Sequence, residues 1–139
     1  MRIRTHQLAI AKMLVFMYGK SDFRLAAAHF HQGRAYLQCS AYEQAANHLS
    51  IATTRIAKMS EIRDTKVYNS FILTALGTTY YHQQRYDYAL EVLVRAYDIQ
   101  NSSQVQKNSF VAERTLQMLA RTYLRLKPAD DSRGKREKE

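Results

Sequence analysis

The side chains in this sequence that could do chemistry are few, and their spacing does not suit catalysis or metal binding. His29 and His31 are two residues apart, which places them on different sides of a helix rather than in the i, i+4 arrangement of a metal pair. Cys39 has no histidine near it in the sequence to activate its thiol, and Glu43 and Asp87 stand at expected helix starts, where the helix dipole accounts for them. The sequence also lacks a glycine-rich phosphate loop, an H-E-x-x-H motif and a G-x-S-x-G motif. It therefore predicts no enzyme activity, no cofactor and no metal site.

The scarcity of turn-forming residues indicates which secondary structure the chain adopts. The 139 residues include one proline, Pro128, and four glycines, of which Gly19, Gly33 and Gly77 precede that proline. A β-sheet domain of this length needs many turn residues, and a parallel α/β fold needs short glycine-bearing loops. Since neither is available, the sequence predicts an all-α chain that is helical almost from end to end.

Cysteine content, hydropathy and charge bound the environment and the partners. A single cysteine cannot form a disulfide within the chain, which suits a reducing compartment. The longest apolar run, Met13 to Tyr18, is far shorter than the roughly 20 residues that span a bilayer, and no signal-peptide cleavage site follows it. We therefore predict a cytoplasmic protein with no membrane span. Its net charge of +9 favours an acidic partner.

Two segments of the chain repeat each other at an offset of 44 residues. The matched pairs are Gly33 with Gly77, Tyr36 with Tyr80, Tyr42 with Tyr86, Ala45 with Ala89, Leu49 with Leu93 and Ala52 with Ala96. A third, partial copy follows at an offset of 43, and its matches are Leu116 with Leu73, Ala120 with Gly77 and Tyr123 with Tyr80. This many matches of small and aromatic residues in one register indicate an internal repeat.

Each copy has the pattern of a helical hairpin. In the second copy, Leu73, Gly77 and Tyr80 fall on one helix face, and a second helical stripe begins at Ala89 after a polar break. A glycine inside a helix costs about 1 kcal/mol relative to alanine, so its presence in both copies predicts close packing of two helix axes there. In the first copy, the segment Ser40 to Glu43 has the S-x-x-E form of a capping box, which predicts that the second helix begins there.

Most of the ten tyrosines stand at positions that this repeat uses for packing. Those six are Tyr36, Tyr42, Tyr80, Tyr86, Tyr97 and Tyr123. Some could instead stack on bases, as in proteins that bind single-stranded nucleic acid, but the helical periodicity favours packing. Tyr81 and Tyr88 lie off the stripe, so we expect them to face solvent or a partner.

These spacings resemble the tetratricopeptide repeat (TPR) superfamily over roughly residues 8 to 126. Gly19 is followed by Ala26, Gly33 and Tyr36 at seven, fourteen and seventeen residues, which resembles the kinesin light chain class with its long period of about 42 to 44 residues. Related long-repeat scaffolds, several of them associated with cilia, share this pattern. The period is longer than the usual 34 residues, and neither copy ends in the proline that commonly closes the repeat.

The resemblance implies a right-handed superhelical array of antiparallel helix hairpins, an α-solenoid of about six helices, over residues 1–127. The expected elements are a half repeat at 4–18, a repeat at 22–58 with helices 22–38 and 42–58, a repeat at 64–100 with helices 64–83 and 87–100, and a half repeat at 108–126. Residues 128–139 are polar and charged, and we expect them to be disordered. Because the 4–18 segment is apolar nearly all round, we expect it to pack on another chain or on the rest of a longer one.

The resemblance also implies a binding surface, the concave face formed by the first helix of each hairpin. The residues expected on it are Phe30, His31, Arg34 and Leu37, then Phe71, Thr74, Ala75, Thr78 and Tyr81, and finally Arg114, Met118, Arg121 and Arg125. Chaperone-binding relatives use lysines and asparagines on this face to hold a C-terminal carboxylate. Since Phe30, Ala75 and Met118 stand among those positions here, we reject that function.

The last expected helix concentrates basic charge, because Arg114, Arg121 and Arg125 fall on one side of it. One interpretation is an ordinary solvated face. The other is a groove that binds an acidic or mixed apolar and acidic protein segment through bidentate guanidinium contacts.

We therefore expect a non-catalytic scaffold or adaptor that docks protein partners within a multi-subunit complex. A first alternative is a nucleic-acid-binding helical repeat, which the isoelectric point near 9.8 favours, although the basic residues are scattered over most helices. A second alternative is a subunit of a microtubule-motor or axonemal assembly. That alternative, with its cytoskeletal or ciliary location, rests on resemblance alone.

Overall fold

The computed structural model describes residue 9 and residues 22–59, 63–102 and 110–126, and every element within these ranges is a helix. The five helices are α1, Asp22–Gln38; α2, Tyr42–Ala57; α3, Arg63–His82; α4, Tyr86–Ser102; and α5, Phe110–Leu126. These bounds lie within two residues of the helices expected from the sequence. Apart from residue 9, the expected helix over 4–18 lies outside the described ranges, as does the tail 128–139.

The five helices pack in chain order as an array. α1 packs against α2 and α3 packs against α4, and a three-residue turn joins each pair, so both pairs are antiparallel hairpins. α2 also contacts α3, and α4 contacts α5, while α3 touches both α1 and α5. The predicted all-α array of packed neighbouring helices is thereby confirmed. None of the five helices is long and apolar enough to cross a membrane.

The glycine contacts confirm the close approach predicted within each hairpin. A Cβ atom placed on Gly33 would lie 2.6 Å from Cγ of Leu49, and one placed on Gly77 would lie 2.5 Å from Cγ of Leu93. Both leucines are fully buried, so neither can move aside without disturbing the packing around it. The two hairpins therefore make the same contact at the same position of the repeat.

The turns within the two hairpins also match, and they correct the capping prediction. Ser40 and Gln84 have φ of 60° and 62°, and in each turn the next amide donates to the carbonyl oxygen five residues earlier over 2.9 Å. This is a Schellman turn, with its left-handed residue just beyond the first helix. The predicted capping box is wrong, because Ser40 ends α1 instead of opening α2, and Ala41 at the N-cap offers no side-chain hydrogen bond. α2 still begins at Tyr42, and the negative charge of Glu43 in its first turn interacts favourably with the helix dipole.

The buried core lies between neighbouring helices and continues along the array. Its larger cluster joins α1, α2 and α3 and consists of Ala26, Phe30, Ala45, Leu49, Ala52, Ile56, Ile72 and Leu76. A second cluster of Ala89, Leu93 and Met118 joins α4 to α5. Tyr80 packs against both clusters, so the two hairpins and α5 share one apolar interior.

The tyrosines follow the predicted pattern in the hairpins and depart from it on α5. Tyr36 is half-buried and packs against the core, whereas Tyr88 is 53% exposed, as expected of a residue off the stripe. Tyr81 was expected to face solvent or a partner, yet it is half-buried and packs against the second cluster. Tyr123 was expected to pack but is 45% exposed, because no helix of the described ranges covers that side of α5. Both of these expectations are wrong.

Candidate functional site

A groove runs across the face formed by α1, α3 and α5 and encloses a cavity of about 450 Å³. Its lining residues are Phe30, Arg34, Leu37 and Gln38 of α1, Phe71, Thr74, Ala75, Thr78 and His82 of α3, and Arg114 of α5. α3 contacts both flanking helices, whereas α1 and α5 do not contact each other. α3 therefore forms the floor of the groove, and α1 and α5 form its walls.

The apolar part of the groove comes from side chains that are anchored in the core. Phe30 is only 7% exposed, and its ring meets the ring of Tyr68 edge-on at a centroid distance of 5.5 Å. Phe71, Leu37 and Ala75 are half-buried and pack against the same core cluster. Since packing fixes these side chains, the groove offers a preformed apolar surface.

Two arginines give the groove its charge, one on each wall. Arg34 of α1 is exposed, and its guanidinium carbon lies 5.5 Å from the ring centroid of Phe30, which is a cation–π contact. Arg114 of α5 is exposed as well. No aspartate or glutamate is among the groove-lining residues. The groove therefore presents positive charge to an entering ligand, and carboxylates are the side chains that guanidinium groups bind best.

The hydroxyl groups of the floor threonines already make hydrogen bonds within the protein. The Thr74 hydroxyl lies 2.9 Å from the carbonyl oxygen of Ser70 and 2.8 Å from the hydroxyl of Thr115, and in the second contact either hydroxyl can be the donor. This buried bond joins α3 to α5. Thr78 donates to the carbonyl oxygen of Thr74 at 2.8 Å. Both threonines line the groove, as expected. Because their hydroxyl protons already take part in hydrogen bonds, these hydroxyl groups can only accept a hydrogen bond from a ligand.

A smaller cavity of about 290 Å³ lies on α5 and takes in two more of the predicted residues, Met118 and Arg121. Arg114 lines this cavity as well as the groove, and Glu113 is its one acidic lining residue. Met118 is only 5% exposed and belongs to the core cluster that joins α4 to α5. Its main role is therefore packing, whereas Arg121 is an exposed charge beside the groove.

Three predicted site residues, His31, Tyr81 and Arg125, line neither the groove nor the smaller cavity. The ring of His31 stacks on Phe30 at a centroid distance of 5.8 Å, and partial burial, followed by the charge of Arg34, lowers the pKa of His31. Arg125 interacts with tyrosines instead: a side-chain hydrogen bond with Tyr81, followed by charge interactions with Tyr81 and Tyr86, raises the pKa of Arg125. Tyr81 and Arg125 therefore belong together at one end of α5 rather than in the groove.

The sequence reasoning missed two groove residues, Gln38 and His82. Both lie at the last position of a first helix, α1 and α3 respectively, and they are 44 residues apart. The ring of His82 stacks on Tyr42 at a centroid distance of 5.1 Å, a contact between the end of α3 and the start of α2. The repeat register could have identified both, because it assigns them equivalent positions.

The reasoning also missed a histidine pair between α1 and α2. Nδ1 of His29 lies 3.0 Å from Nδ1 of His48, so one ring donates a hydrogen bond and the other accepts it. The ring of His48 also stacks on Tyr36 at 5.4 Å. Burial, then the charges of His48 and Arg55, lower the pKa of His29. This pair is 19 residues apart in sequence and lies away from the groove lining.

Within the described ranges, no group of three or more histidine, cysteine, aspartate or glutamate side chains is placed to hold a metal ion. Cys39 is exposed at the end of α1. Comparisons of the chain with protein-family models, with curated proteins and with solved structures find no match.

Proposed function

We propose that this chain is a non-catalytic helical-repeat module, related to the long-period TPR class, that binds an acidic and partly apolar segment of a partner protein. The observation that carries this proposal is the groove lining, in which Arg34 and Arg114 stand on opposite walls and Phe71 lies between them, with no carboxylate. The matching contacts of Gly33 and Gly77 support the relation to TPR hairpins.

Binding in the groove combines apolar burial with charge pairing. A partner segment that crosses α3 buries an apolar side chain against Phe30 and Phe71, which are already ordered by the core. Its carboxylates pair with the guanidinium groups of Arg34 and Arg114, whose planar fork suits bidentate contacts. The cation–π contact with Phe30 restrains Arg34 before binding, which reduces the side-chain entropy lost in the complex.

A wider proposal is that the module works within a multi-subunit complex in the cytoplasm, including cytoskeletal or ciliary assemblies. The support for it is the resemblance of the repeat to long-period relatives. A fold does not by itself assign a function. Identifying the partner protein is therefore the test of this wider proposal.

A nucleic-acid-binding repeat is the second candidate, and the observation that favours it is the net charge of +9. An exposed basic and aromatic cluster also lies outside the groove, where the guanidinium carbon of Arg85 is 5.1 Å from the ring centroid of Tyr80 and 4.6 Å from that of Tyr88. Phosphate binding spread over many such residues gives a steep salt dependence, about one unit of log–log slope per contact.

Two charge-reversal variants separate these candidates. The groove variant is Arg34→Glu with Arg114→Glu, and its matched control is Lys66→Glu with Arg95→Glu, which changes the same charge at exposed positions outside the groove lining. The probes are a labelled peptide of alternating glutamate and leucine and a labelled single-stranded RNA of mixed sequence, measured by fluorescence anisotropy at low salt.

The groove variant should bind the peptide about a hundredfold or more weakly, since it loses two charge-assisted contacts, each of about 1.5 to 3 kcal/mol. The control should bind the peptide within a few-fold of wild type. Equal losses in the two variants would contradict groove binding. Tight RNA binding that both variants weaken equally would favour the nucleic-acid candidate.

A further inference from the structure

A second surface of the molecule presents apolar side chains that no helix of the described ranges covers. On α5, Leu116 is 49% exposed, Tyr123 is 45% exposed and Leu124 is 69% exposed, and Ala120 between them is also exposed. Their spacing puts these four residues on one side of the helix, which we call the open face. A contiguous apolar stripe of this kind marks an association surface, whereas single exposed apolar residues are ordinary.

The repeat shows what kind of element the open face accommodates. Its residues Leu116, Ala120 and Tyr123 are equivalent to Leu73, Gly77 and Tyr80 of α3. In α3 this side packs on α4, since Gly77 lies directly against Leu93 and the ring of Tyr80 meets that of Tyr88 at 5.9 Å. The open face is therefore the side that a first helix uses to pack on the second helix of its hairpin.

The sequence before α1 carries another copy of the pattern of buried residues in α2, whose first two positions α4 shares as Leu93 and Ala96. In α2 this pattern is a leucine, an alanine three residues later and a β-branched residue four further on, all of them buried. The two copies are Leu49, Ala52 and Ile56 in α2, and Leu8, Ala11 and Val15 before α1. They are 41 residues apart, which equals the separation between the first residues of α1 and α3 and is three residues shorter than the 44-residue offset of the repeat. The earlier copy thus stands in the sequence where the second helix of a preceding hairpin would stand.

We infer that residues 4–18 of one copy of this chain pack as a helix on the open face of α5 in a second copy. The docked segment acts as the second helix of that hairpin, with Leu8 against Ala120 as Leu93 lies against Gly77. Because Ala120 carries a Cβ atom where the glycine has none, the incoming leucine must sit farther out than its counterpart, which makes this contact weaker than those within the hairpins. The interface uses a different surface on each copy, so it joins copies head to tail into an open chain or a closed ring, according to the rotation between neighbouring copies.

The effect of salt distinguishes this self-association from partner binding in the groove. The self-association does not depend on the proposed groove binding. Each copy carries a net charge of +9. The segment before α1 contributes Arg2, Arg4, Lys12 and Lys20 to that charge, with no carboxylate in residues 1–20. The two copies therefore repel, and salt screens this repulsion beyond about 10 Å at 0.1 M ionic strength. Self-association should strengthen as salt rises, whereas an acidic segment should leave the groove.

Two full-length variants test the assignment by analytical ultracentrifugation. The face variant is Leu116→Asp with Leu124→Asp, and the segment variant is Leu8→Asp with Val15→Asp. Val94→Asp is the matched control, because Val94 is 41% exposed on α4, away from the open face. Helical content by circular dichroism checks that each variant folds.

The wild-type chain and the Val94 control should grow in mass with concentration, more so at high salt. Each two-site variant alone should associate at least about a hundredfold more weakly. An equimolar mixture of the two variants should form one-to-one pairs and stop there, because one of them retains the segment and the other retains the open face.

Each of three results would overturn the inference. A segment variant that associates as well as wild type would show that two open faces pair with each other. A mixture that stays monomeric would show that the segment and the open face do not meet. A wild-type chain that remains monomeric at every concentration and salt level would exclude self-association altogether.

Discussion

The two helices α3 and α5 carry matching stripes of residues, yet one stripe is covered and the other is not. In α3, Gly77 lies against Leu93 of α4, whereas in α5 the stripe leaves Leu116 49% exposed and Leu124 69% exposed. The inner sides of the helices are alike, because Thr79 and Thr122 are both fully buried. The repeat pattern thus specifies which sides of a helix are shaped for packing, and the presence of a neighbouring helix decides whether a side contributes to stability or to association.

The largest expected difference between the two stripes is in the free energy of unfolding. Leu73→Ala, at the α3 position equivalent to Leu116, should destabilise the chain by about 3 to 5 kcal/mol, because Leu73 is buried and its loss leaves a cavity in a packed interior. Leu116→Ala removes the same atoms from the open face and should cost less than about 0.5 kcal/mol. Urea denaturation followed by circular dichroism measures both. Similar losses in the two variants would contradict the contrast between α3 and α5.

The glycine contact within the covered stripe can be tested by adding one methyl group. Gly77→Ala should destabilise the chain by about 1 to 2 kcal/mol, because overpacking against the buried Leu93 outweighs the gain of about 1 kcal/mol in helix propensity. Gly33→Ala should behave in the same way, since its Cβ would meet Leu49 equally closely. If either variant is instead more stable than wild type in the same urea titration, the close approach of the helices is not what keeps glycine there.

The attachment of α5 to α3 depends partly on a buried hydrogen bond, and its loss should have a smaller effect. Thr74→Val removes the 2.8 Å bond with Thr115 while preserving the shape of the side chain, and it should cost about 1 kcal/mol. Thr54→Val is the matched control, because Thr54 is exposed and bonds only to a carbonyl of its own helix. Thermal unfolding should show a lower Tm for the first variant alone, and equal Tm values would indicate that the bond adds nothing.

The smallest expected effect concerns pH and the hairpin of α1 and α2. The pKa values of His29 and His31 are lower in the folded chain than in the unfolded chain, so the unfolded chain binds protons more readily at both positions. Their contribution to stability is present above the ordinary histidine pKa of about 6.5 and is lost as pH falls through that value toward the folded pKa values. His29→Gln with His31→Gln should therefore flatten the dependence of unfolding free energy on pH between about pH 7.5 and 5. An unchanged slope would show that these histidines titrate alike in both states.

The sequence predicted the helices and the glycine contacts because those features depend on short-range periodicity. The expected concave-face residues came from the resemblance to the tetratricopeptide repeat, and most of them, including Arg34, Phe71 and Arg114, line the groove. Local pattern failed at Ser40, where the S-x-x-E motif competes with the left-handed residue that the hairpin turn requires and that Gln84 supplies in the second copy.

The features that the sequence did not predict are contacts between residues that are distant in sequence. Arg125 interacts with Tyr81, another residue expected on the same face, and this contact depends on how α5 packs over the end of α3. The pairing of His29 with His48 depends similarly on the packing of α1 on α2. Neither arrangement leaves a pattern in the sequence, because each arises only when two helices are brought together.

The measurement that tests the central claim most directly is an NMR titration of the isotope-labelled chain with the glutamate and leucine peptide. We propose that the partner binds in the groove on α1, α3 and α5 and does not contact the open face of α5. The signals of Leu37, Phe71 and Ala75 should therefore move together and saturate, while those of Leu116 and Leu124 stay in place. Shifts centred on the open face, or spread over basic residues on every helix while the groove signals do not move, would contradict this proposal.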